Sequence, residues 1–526
     1  MTVESDFSSK TQGFIECLTN NGVTISSKIE IADLRSQHQG RGIIAVEDIK
    51  TGDALFTLPK DSILNYETCE AFMKLDEGKA NEVLEQYSQW EVLILCIFYE
   101  LSIKKKDSKF YGYFQVLPEK FDNLMFWNDE ELAELKPSFI VGRIGKQESE
   151  EMYANLRDSG LKDLGLETYV EEFTISNFHR IASLIQSYSF DVEKALYNEN
   201  KDKGENEDED EDEDEEDVEE EPIKAMVCLA DTLNADTNLV NANLTYENGS
   251  LVMKAIKNIS KGKQVYNTYG EHPNAEILRR YGYVEWKASK YDFGEVALDN
   301  LKKVFIENYG VSREVIEEIL KIISKDEEFN ENFVDEVQQD DETEEEKEES
   351  DEEDDDNKNE IINEVYECYI DGGISPEFYF IIQILTSVLS VENDEIYKMK
   401  YTQLANLEEK NKFIKRFTKK ILQLINANKI TVAAEKNYQD ILDSRLSEYP
   451  AMIVGTSSKL DVPKEFSRKE MAHCVLRCEI NSIRRCKTYF TDKKFTAVPD
   501  EKLLRNLMKK YIEFEGGDKK RRKTKK

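Results

Sequence analysis

The residues best suited to do chemistry lie between Leu229 and Glu285. Asn234 sits in ADTLNAD, Tyr266 and Tyr269 close VYNTYG, and Tyr281 and Tyr283 flank Gly282 in EILRRYGYVE. An Asn side chain can accept a hydrogen bond from an amine and donate one to a carbonyl in the same contact. Tyrosines gathered beside turn glycines can line a narrow apolar channel. Such a channel strips water from a charged amine and favours its neutral form. Taken singly, each residue has a plainer reading: Asn234 as a residue bonding its own turn, Tyr269 as a half-buried strand tyrosine. Their order within one short stretch gives them weight together. Far upstream, Gly40-Arg41-Gly42 precedes a strand. A tight turn explains it most simply, but two glycines also let backbone approach a ligand closely.

Short strands must carry these residues. Residues 43–46 and 54–58 read as strands joined by a turn at Lys50-Thr51-Gly52-Asp53. The same grammar returns at 251–256, at the turn Ser260-Lys261-Gly262-Lys263, and at 264–269. The two hairpins either pair across the segment between them or belong to two sheets. Residues 226–229 read as a short apolar strand leading to Asn234. The segment between the hairpins is mostly helical. Residues 90–103 form a dense apolar helix, too short to span a bilayer. Residues 129–135 look like a capped helix start, and 173–190 place Phe178, Ile181, Leu184, Ile185 and Tyr188 at helical spacing. Later, 377–391, 411–427, 432–446, 468–490 and 501–514 all read as helices of a small bundle with no chemistry of its own.

The chain has 526 residues, enough for two or three cored domains. Its formal net charge of -38 is concentrated in two places. Residues 201–221 hold sixteen acids and two lysines, and 335–360 hold seventeen acids and two lysines. Like-charge blocks of this length repel themselves and are expected to be disordered insertions. A second reading makes them a steering field for a basic partner protein. The last eight residues carry +7, which reads as a nuclear import signal, a solvated tail or a nucleic-acid contact. Eight scattered cysteines and a polar N-terminus fit reduced thiols in cytosol or nucleus. His473, Cys474, Cys478 and Cys486 lack four-ligand zinc spacing, so no metal is expected. No apolar run is long enough for a membrane span, and nothing calls for a direct nucleic-acid role. A monomer is expected.

With Phe110 to Pro118 (FYGYFQVLP), Met125-Phe126-Trp127, Gln186 to Phe190 (QSYSF), Asn241 to Tyr246 (NANLTY) and residues 468–483 added, the chain resembles the SET-domain methyltransferases of the Rubisco large-subunit methyltransferase class over roughly residues 22–492. Within the class it looks most like the branch of fungal ribosomal lysine methyltransferases and their vertebrate relatives. The resemblance implies an α+β chain: a SET β-fold split by a helical insert, then an all-helical substrate-binding domain. The implied division is 1–80 as the N-terminal SET half, 81–190 as the helical insert and return to the SET fold, and 191–223 as an acidic insertion. Residues 224–300 would be the C-terminal SET half, 301–515 the helical domain with an acidic insertion at 330–360, and 516–526 a basic tail.

The implied activity is transfer of a methyl group from S-adenosylmethionine to a protein lysine. The implied substrate is a large-subunit ribosomal protein of the L-forty-two family. A histone or other basic nuclear protein, a histidine target on the same fold, and a non-catalytic SET-fold binding protein stay open. Residue by residue, Gln39, Gly40 and Arg41 would contact the methionine end of the cofactor and Asn234 would bind it. Ala235 stands where the class usually has His, which removes a side-chain contact but leaves the backbone groups. Tyr188 stands where the plant enzymes have Arg. Tyr269 matches the catalytic tyrosine and Tyr283 would cover the adenine, while Phe110, Phe190, Asp231 and Tyr281 match substrate-lysine positions. No side chain stands out in the sequence as a general base, so Tyr269 is assigned orientation and electrostatics. The basic tail points to nuclear residence, with cytoplasmic residence also open.

Overall fold

The computed structural model describes residues 3–196, 222–333, 362–455, 460, 462–464 and 466–509. The acidic stretches 201–221 and 335–360 and the tail 519–526 lie outside them. The chain divides into two units, one drawn from Met1–Glu134, Ile140–Tyr291 and Val462–Met471, the other from Leu135–Phe139, Asp292–Asp461 and Ala472–Lys526.

Among the described residues of the first unit, ten short strands carry the alternating apolar residues: β1 Thr24–Ile25, β2 Ile29–Asp33, β3 Arg41–Ala45, β4 Ala54–Pro59, β5 Ser189–Val192, β6 Ile223–Met226, β7 Asn234–Ala235, β8 Ala242–Glu247, β9 Ser250–Ala255 and β10 Gln264–Asn267. One sheet has the order β1-β4-β9-β8 and a second β2-β3-β10-β7. The two expected hairpins are therefore corners. β3 and β4 lie in different sheets, as do β9 and β10. Each strand pairs across the intervening segment instead, β3 with β10 (Ile44 opposite Gln264) and β4 with β9 (Phe56 opposite Met253). The connections themselves meet at the Ile49–Ile259 bridge. Both alternatives left open by the sequence hold at once, because a connection longer than a tight turn lets the chain change sheets.

The insert packs helices against this β-core. The helix Gln89–Phe98 starts at a capping box between Ser88 and Glu91, and residues 92–98 are all buried. It is apolar all round because protein surrounds it. The helix Ile175–Tyr188, capped by Thr174, buries Phe178, Ile181, Leu184 and Ile185, then runs directly into β5, which pairs with β6. The strand expected at 226–229 ends at Met226; Leu229 takes φ +81°, which bends the chain toward Asp231.

The second unit is largely helical, with Leu298–Tyr309, Arg313–Ile323, Pro376–Asn393, Leu407–Ile425 and Val432–Leu446 burying apolar faces. It also holds two small sheets absent from the sequence reading, Phe293–Ala297 with Val365–Tyr369 and Lys429–Thr431 with Thr496–Val498. The strands Lys429–Thr431 and Thr496–Val498 are too short for an alternation to show, and FGEVA and VYECY do not alternate apolar with polar residues. Its interior contains a polar knot. Arg445, 1% exposed, donates to the carbonyls of Glu295 (2.7 Å) and Pro137 (3.0 Å) and pairs with Glu448. Buried Glu479 accepts from Tyr449 and Ser138. Among the described residues no helix is long and apolar enough to cross a membrane.

Candidate active site

Strand order brings the separated motifs together. β10 lies between β3 and β7, so Asn234 and Ala235 on β7 run parallel to Tyr266 and Asn267, one strand away from Arg41. The Asn234 amide donates to Arg41 O (3.2 Å) and to Gln264 Oε1 (2.6 Å). Gln264 in turn donates to Gln39 Oε1 (2.9 Å) and to Tyr266 Oη (2.7 Å). This chain of amides ties the Gly40 loop to the Asn234 bend. It passes over Gly42, where a Cβ would stand 2.7 Å from the Asn234 amide and 2.6 Å from Gln264 Oε1. Gly42 thus makes room for the amides, while Gly40, at φ +60°, leaves open space on its Cβ side.

The Arg41 side chain turns away from this junction. Its guanidinium lies 3.9 Å from the Phe7 ring centroid and donates to Thr11 Oγ1 and the carbonyls of Phe7 and Val116. Only its backbone faces Asn234. His38, the residue before Gln39, stacks its ring on Phe466 at 4.1 Å, and Phe466 meets Trp286 edge-on at 5.3 Å. Arg468 anchors that later segment by pairing with Asp122 and Glu131.

The tyrosines converge as their order suggested. The Tyr269 hydroxyl donates to Leu233 O (2.7 Å), and the Tyr281 hydroxyl donates to Tyr269 O (2.9 Å). The Tyr269 ring lies 4.8 Å from that of Tyr281 and 6.5 Å from that of Tyr283. Tyr281 ends the helix Asn274–Tyr281, and Gly282, at φ +73°, turns the chain so that Tyr283 returns to the same cluster. Asn274 fixes the return by bonding both backbone groups of Glu285, whose carboxylate reaches Thr237 N and Oγ1 (2.6 Å each). A small cavity lies here between Ala235, Thr237, Tyr269, Gly270 and Tyr283.

Asp231, on the segment that leads to the Leu233 carbonyl bonded by Tyr269, is 6% exposed. Burial pushes its carboxyl up to about 7, against the opposing pull of a hydrogen bond from Tyr113. Burial also drives the hydroxyls of Tyr269, Tyr283, Tyr113 and Tyr188 above the usual phenol range, so all stay neutral donors. The charge of Asp231 adds to the upward shift at Tyr188 and Tyr269. Phe190 lies on β5 at a groove of about 300 Å³ shared with Asp191, Tyr246, Asn267 and Thr268. Phe110 is wholly buried in the apolar core, and the residue of its segment that reaches Asp231 is Tyr113. Sequence reading missed Tyr113, Gln264, Thr237 and Glu285. Only FYGYF hinted at the first, because a tyrosine on a four-residue helix gives no periodic signal. Among the described residues no group of three His, Cys, Asp or Glu is placed to hold a metal ion.

Two sheets joined at corners, closing on an Asn bend and a tyrosine cluster, define the SET fold, and residues 40–270 match the SET-domain family. The solved structure of Rubisco LSMT bound to sinefungin and monomethyllysine shares the fold, with a TM-score of 0.56 at 16% identity over 94% of this chain and 95% of that one. The chain is 36% identical over 518 residues to ribosomal lysine N-methyltransferase 4 of Saccharomyces cerevisiae, covering 96% of this chain and 97% of that protein. It is 29% identical over 256 residues to human N-lysine methyltransferase SETD6, covering 47% and 48%. The chain belongs to the SET-domain protein-lysine N-methyltransferases.

Proposed function

We propose that this enzyme methylates a lysine of a large-subunit ribosomal protein, of the L-forty-two family, with S-adenosylmethionine as donor. The observation that carries the site assignment is the junction at Tyr269. Its hydroxyl is fixed on Leu233 O, its ring is flanked by Tyr281 and Tyr283, and Asn234 is tied to the Gly40 loop beside it.

The residues present fit the donor. β7 is the outermost strand of its sheet, so one backbone edge of Asn234–Ala235 is free of strand pairing. Ala235 and Tyr283 line the small cavity, and Gly40 leaves backbone open on its Cβ side. Asn234, the backbone of Gln39, Gly40 and Ala235, and the ring of Tyr283 would hold the donor, with Tyr188 alongside. The Arg41 side chain is committed to Phe7 and Thr11 and takes no part.

When bound, S-adenosylmethionine supplies a methyl group on a cationic sulfur. The chain must deliver a neutral lysine nitrogen to it. Free lysine has a pKa of about 10.4, and the buried tyrosines lower that value by disfavouring the ammonium. Tyr269 orients the nitrogen and, because burial keeps its phenol protonated, acts as a neutral hydrogen-bonding group. Positioning of this kind supplies up to about 7–11 kcal/mol of barrier lowering. The groove along Phe190, Asp191 and Tyr246 leads to Thr268, next to Tyr269, and suits a basic segment of substrate.

The test is transfer of labelled methyl to large ribosomal subunits purified from a strain lacking this protein, followed by mass spectrometry. A single labelled lysine in one small basic protein, lost with Tyr269→Phe, is the expected result. Label on histones but not ribosomes would overturn the substrate.

A further inference from the structure

Phe466 is a large apolar side chain left 40% exposed, and its ring partners come from both sides of the donor site. The ring stacks on His38 at 4.1 Å with the planes 25° apart, and it meets Trp286 edge-on at 5.3 Å. His38 precedes Gln39 and Gly40, and Trp286 follows closely on Tyr283. The Trp286 side is fixed. Asn274 bonds both backbone groups of Glu285, and the Glu285 carboxylate accepts from Thr237, which lines the small cavity with Ala235. The His38 side is a loop. Gly40 O accepts from Leu34 N at 2.8 Å and closes residues 34–40 at the base, while His38 and Gly40 both take φ +60°. That conformation is costly for a residue with a side chain, and it persists where the surroundings enforce it. Phe466 itself is anchored through Arg468, which pairs with Asp122 (3.0 Å) and Glu131 (2.8 Å) and donates to Phe126 O (3.0 Å). All of these residues belong to the first unit.

Resting on the donor site read above, we propose that Phe466 is a positioning residue for S-adenosylmethionine. It clasps the Gln39–Gly40 loop to the Tyr283–Trp286 segment, so that both sides of the donor site are set before the donor arrives. A loop ordered in advance loses less freedom on binding, and the freedom not lost is kept as affinity. The clasp depends on a flat ring, because His38 meets its face and Trp286 meets it edge-on, and both arrangements are favourable aromatic geometries. Phe466 acts through these two neighbours, and its effect falls on holding and releasing the donor. The segment that supplies it, Val462–Met471, follows the helices of the second unit in sequence yet belongs to the first unit. The SET unit is thus completed by a piece of chain from beyond the helical region.

The experiment follows binding and release of labelled S-adenosylmethionine by the full chain, as wild type, Phe466→Ala, Phe466→Tyr, His38→Ala and the Phe466→Ala, His38→Ala double variant. Amide exchange of Gln37, His38 and Gln39 in the donor-free protein is the second readout, since their N–H groups bond the carbonyls of Leu34 and Arg35 within the loop. Phe466→Ala should speed donor release about tenfold, and the loss should appear in the KM for the donor rather than in kcat. Loop exchange should quicken in the same variant. Phe466→Tyr keeps the ring and should restore slow release. His38→Ala should release the donor faster as well, and the double variant should be no worse than Phe466→Ala, because both substitutions open the same clasp. A purely structural loss would lower the melting temperature without moving donor release or loop exchange. Unmoved release in Phe466→Ala, or single effects that add in the double variant, overturns this inference alone. Absence of donor binding by the wild type overturns the reading beneath it, and this inference with it.

Discussion

Replacing Gly282 by Ala should be far more damaging than its small size suggests. At φ +73° an L side chain is strained by about 1–2 kcal/mol. A Cβ at that position would also stand 2.5 Å from Asn123 N and 2.6 Å from Asp122 C. Those are backbone atoms, so no side chain can swing aside, and overpacking of this kind costs about 1–3 kcal/mol more. The total is about 2–5 kcal/mol. Gly249, at φ +69° with nothing within 4 Å of its Cβ position, isolates the first contribution, so Gly249→Ala should cost only about 1–2 kcal/mol. Urea unfolding followed by tryptophan fluorescence separates the two. Trp90, Trp127 and Trp286 all belong to the first unit, and Trp127 donates to Asp122 O at the point of collision. Because Gly282 spaces Tyr281 from Tyr283, cofactor affinity should fall with stability. If Gly282→Ala is no more destabilising than Gly249→Ala, the close approach to residues 122–123 is wrong, and with it the account of how Tyr283 returns to the site.

Tyr269→Phe should lower turnover by about 100-fold while leaving the dissociation constant of S-adenosylmethionine unchanged; equal losses in both would reassign Tyr269 to cofactor binding. Asn234→Ala removes the donor to Arg41 O and Gln264, a loss of about 1–3 kcal/mol, and calorimetry should register cofactor binding weaker by about fivefold or more; wild-type affinity would refute the amide chain as a support. In the second unit, burial raises the Glu479 carboxyl from 4.5 to about 7. The native state then holds a proton that the unfolded chain releases, so this group stabilises fully below pH 4.5 and its contribution is lost as pH rises to 7, at up to about 1.4 kcal/mol per unit. Glu479→Gln should flatten that decline, read as an opening free energy in the helix Arg468–Cys486 that no longer falls with pH, taken from amide-exchange rates divided by the intrinsic rate at each pH; an unchanged slope would place the titration elsewhere.

Much of this architecture is readable from local pattern. The helix Ile175–Tyr188 follows from apolar spacing and its Thr174 cap, and the turns at Gly52 and Gly262 from their glycines. What misled was the pairing of those strands. Turn chemistry looks the same whether the chain folds back on its neighbour or turns a corner into another sheet. The difference is made by β9 and β10, some two hundred residues away, which are the actual partners. The Met226–Leu229 strand failed for a related reason: an apolar run signals burial, and Leu229 is buried in a bend.

The site divides along the same line. Asn234, Tyr269, Tyr281 and Tyr283 lie close in sequence, and their types and order alone marked them as a set. The role of each depends on what stands opposite. Arg41 looked like a binding residue and is committed to Phe7, because its side chain leaves β3 on the face toward the helix Val3–Asn20. Tyr113 carried only the hint of the FYGYF motif and yet donates to Asp231 across a separation of 118 residues. Residue type and spacing determined which chemistry this chain carries, since those are properties of the side chains themselves. Only the tertiary structure decided that Asp231 is buried against Tyr113 and that the Arg41 guanidinium is held away from the site, because burial and pairing arise when distant segments meet.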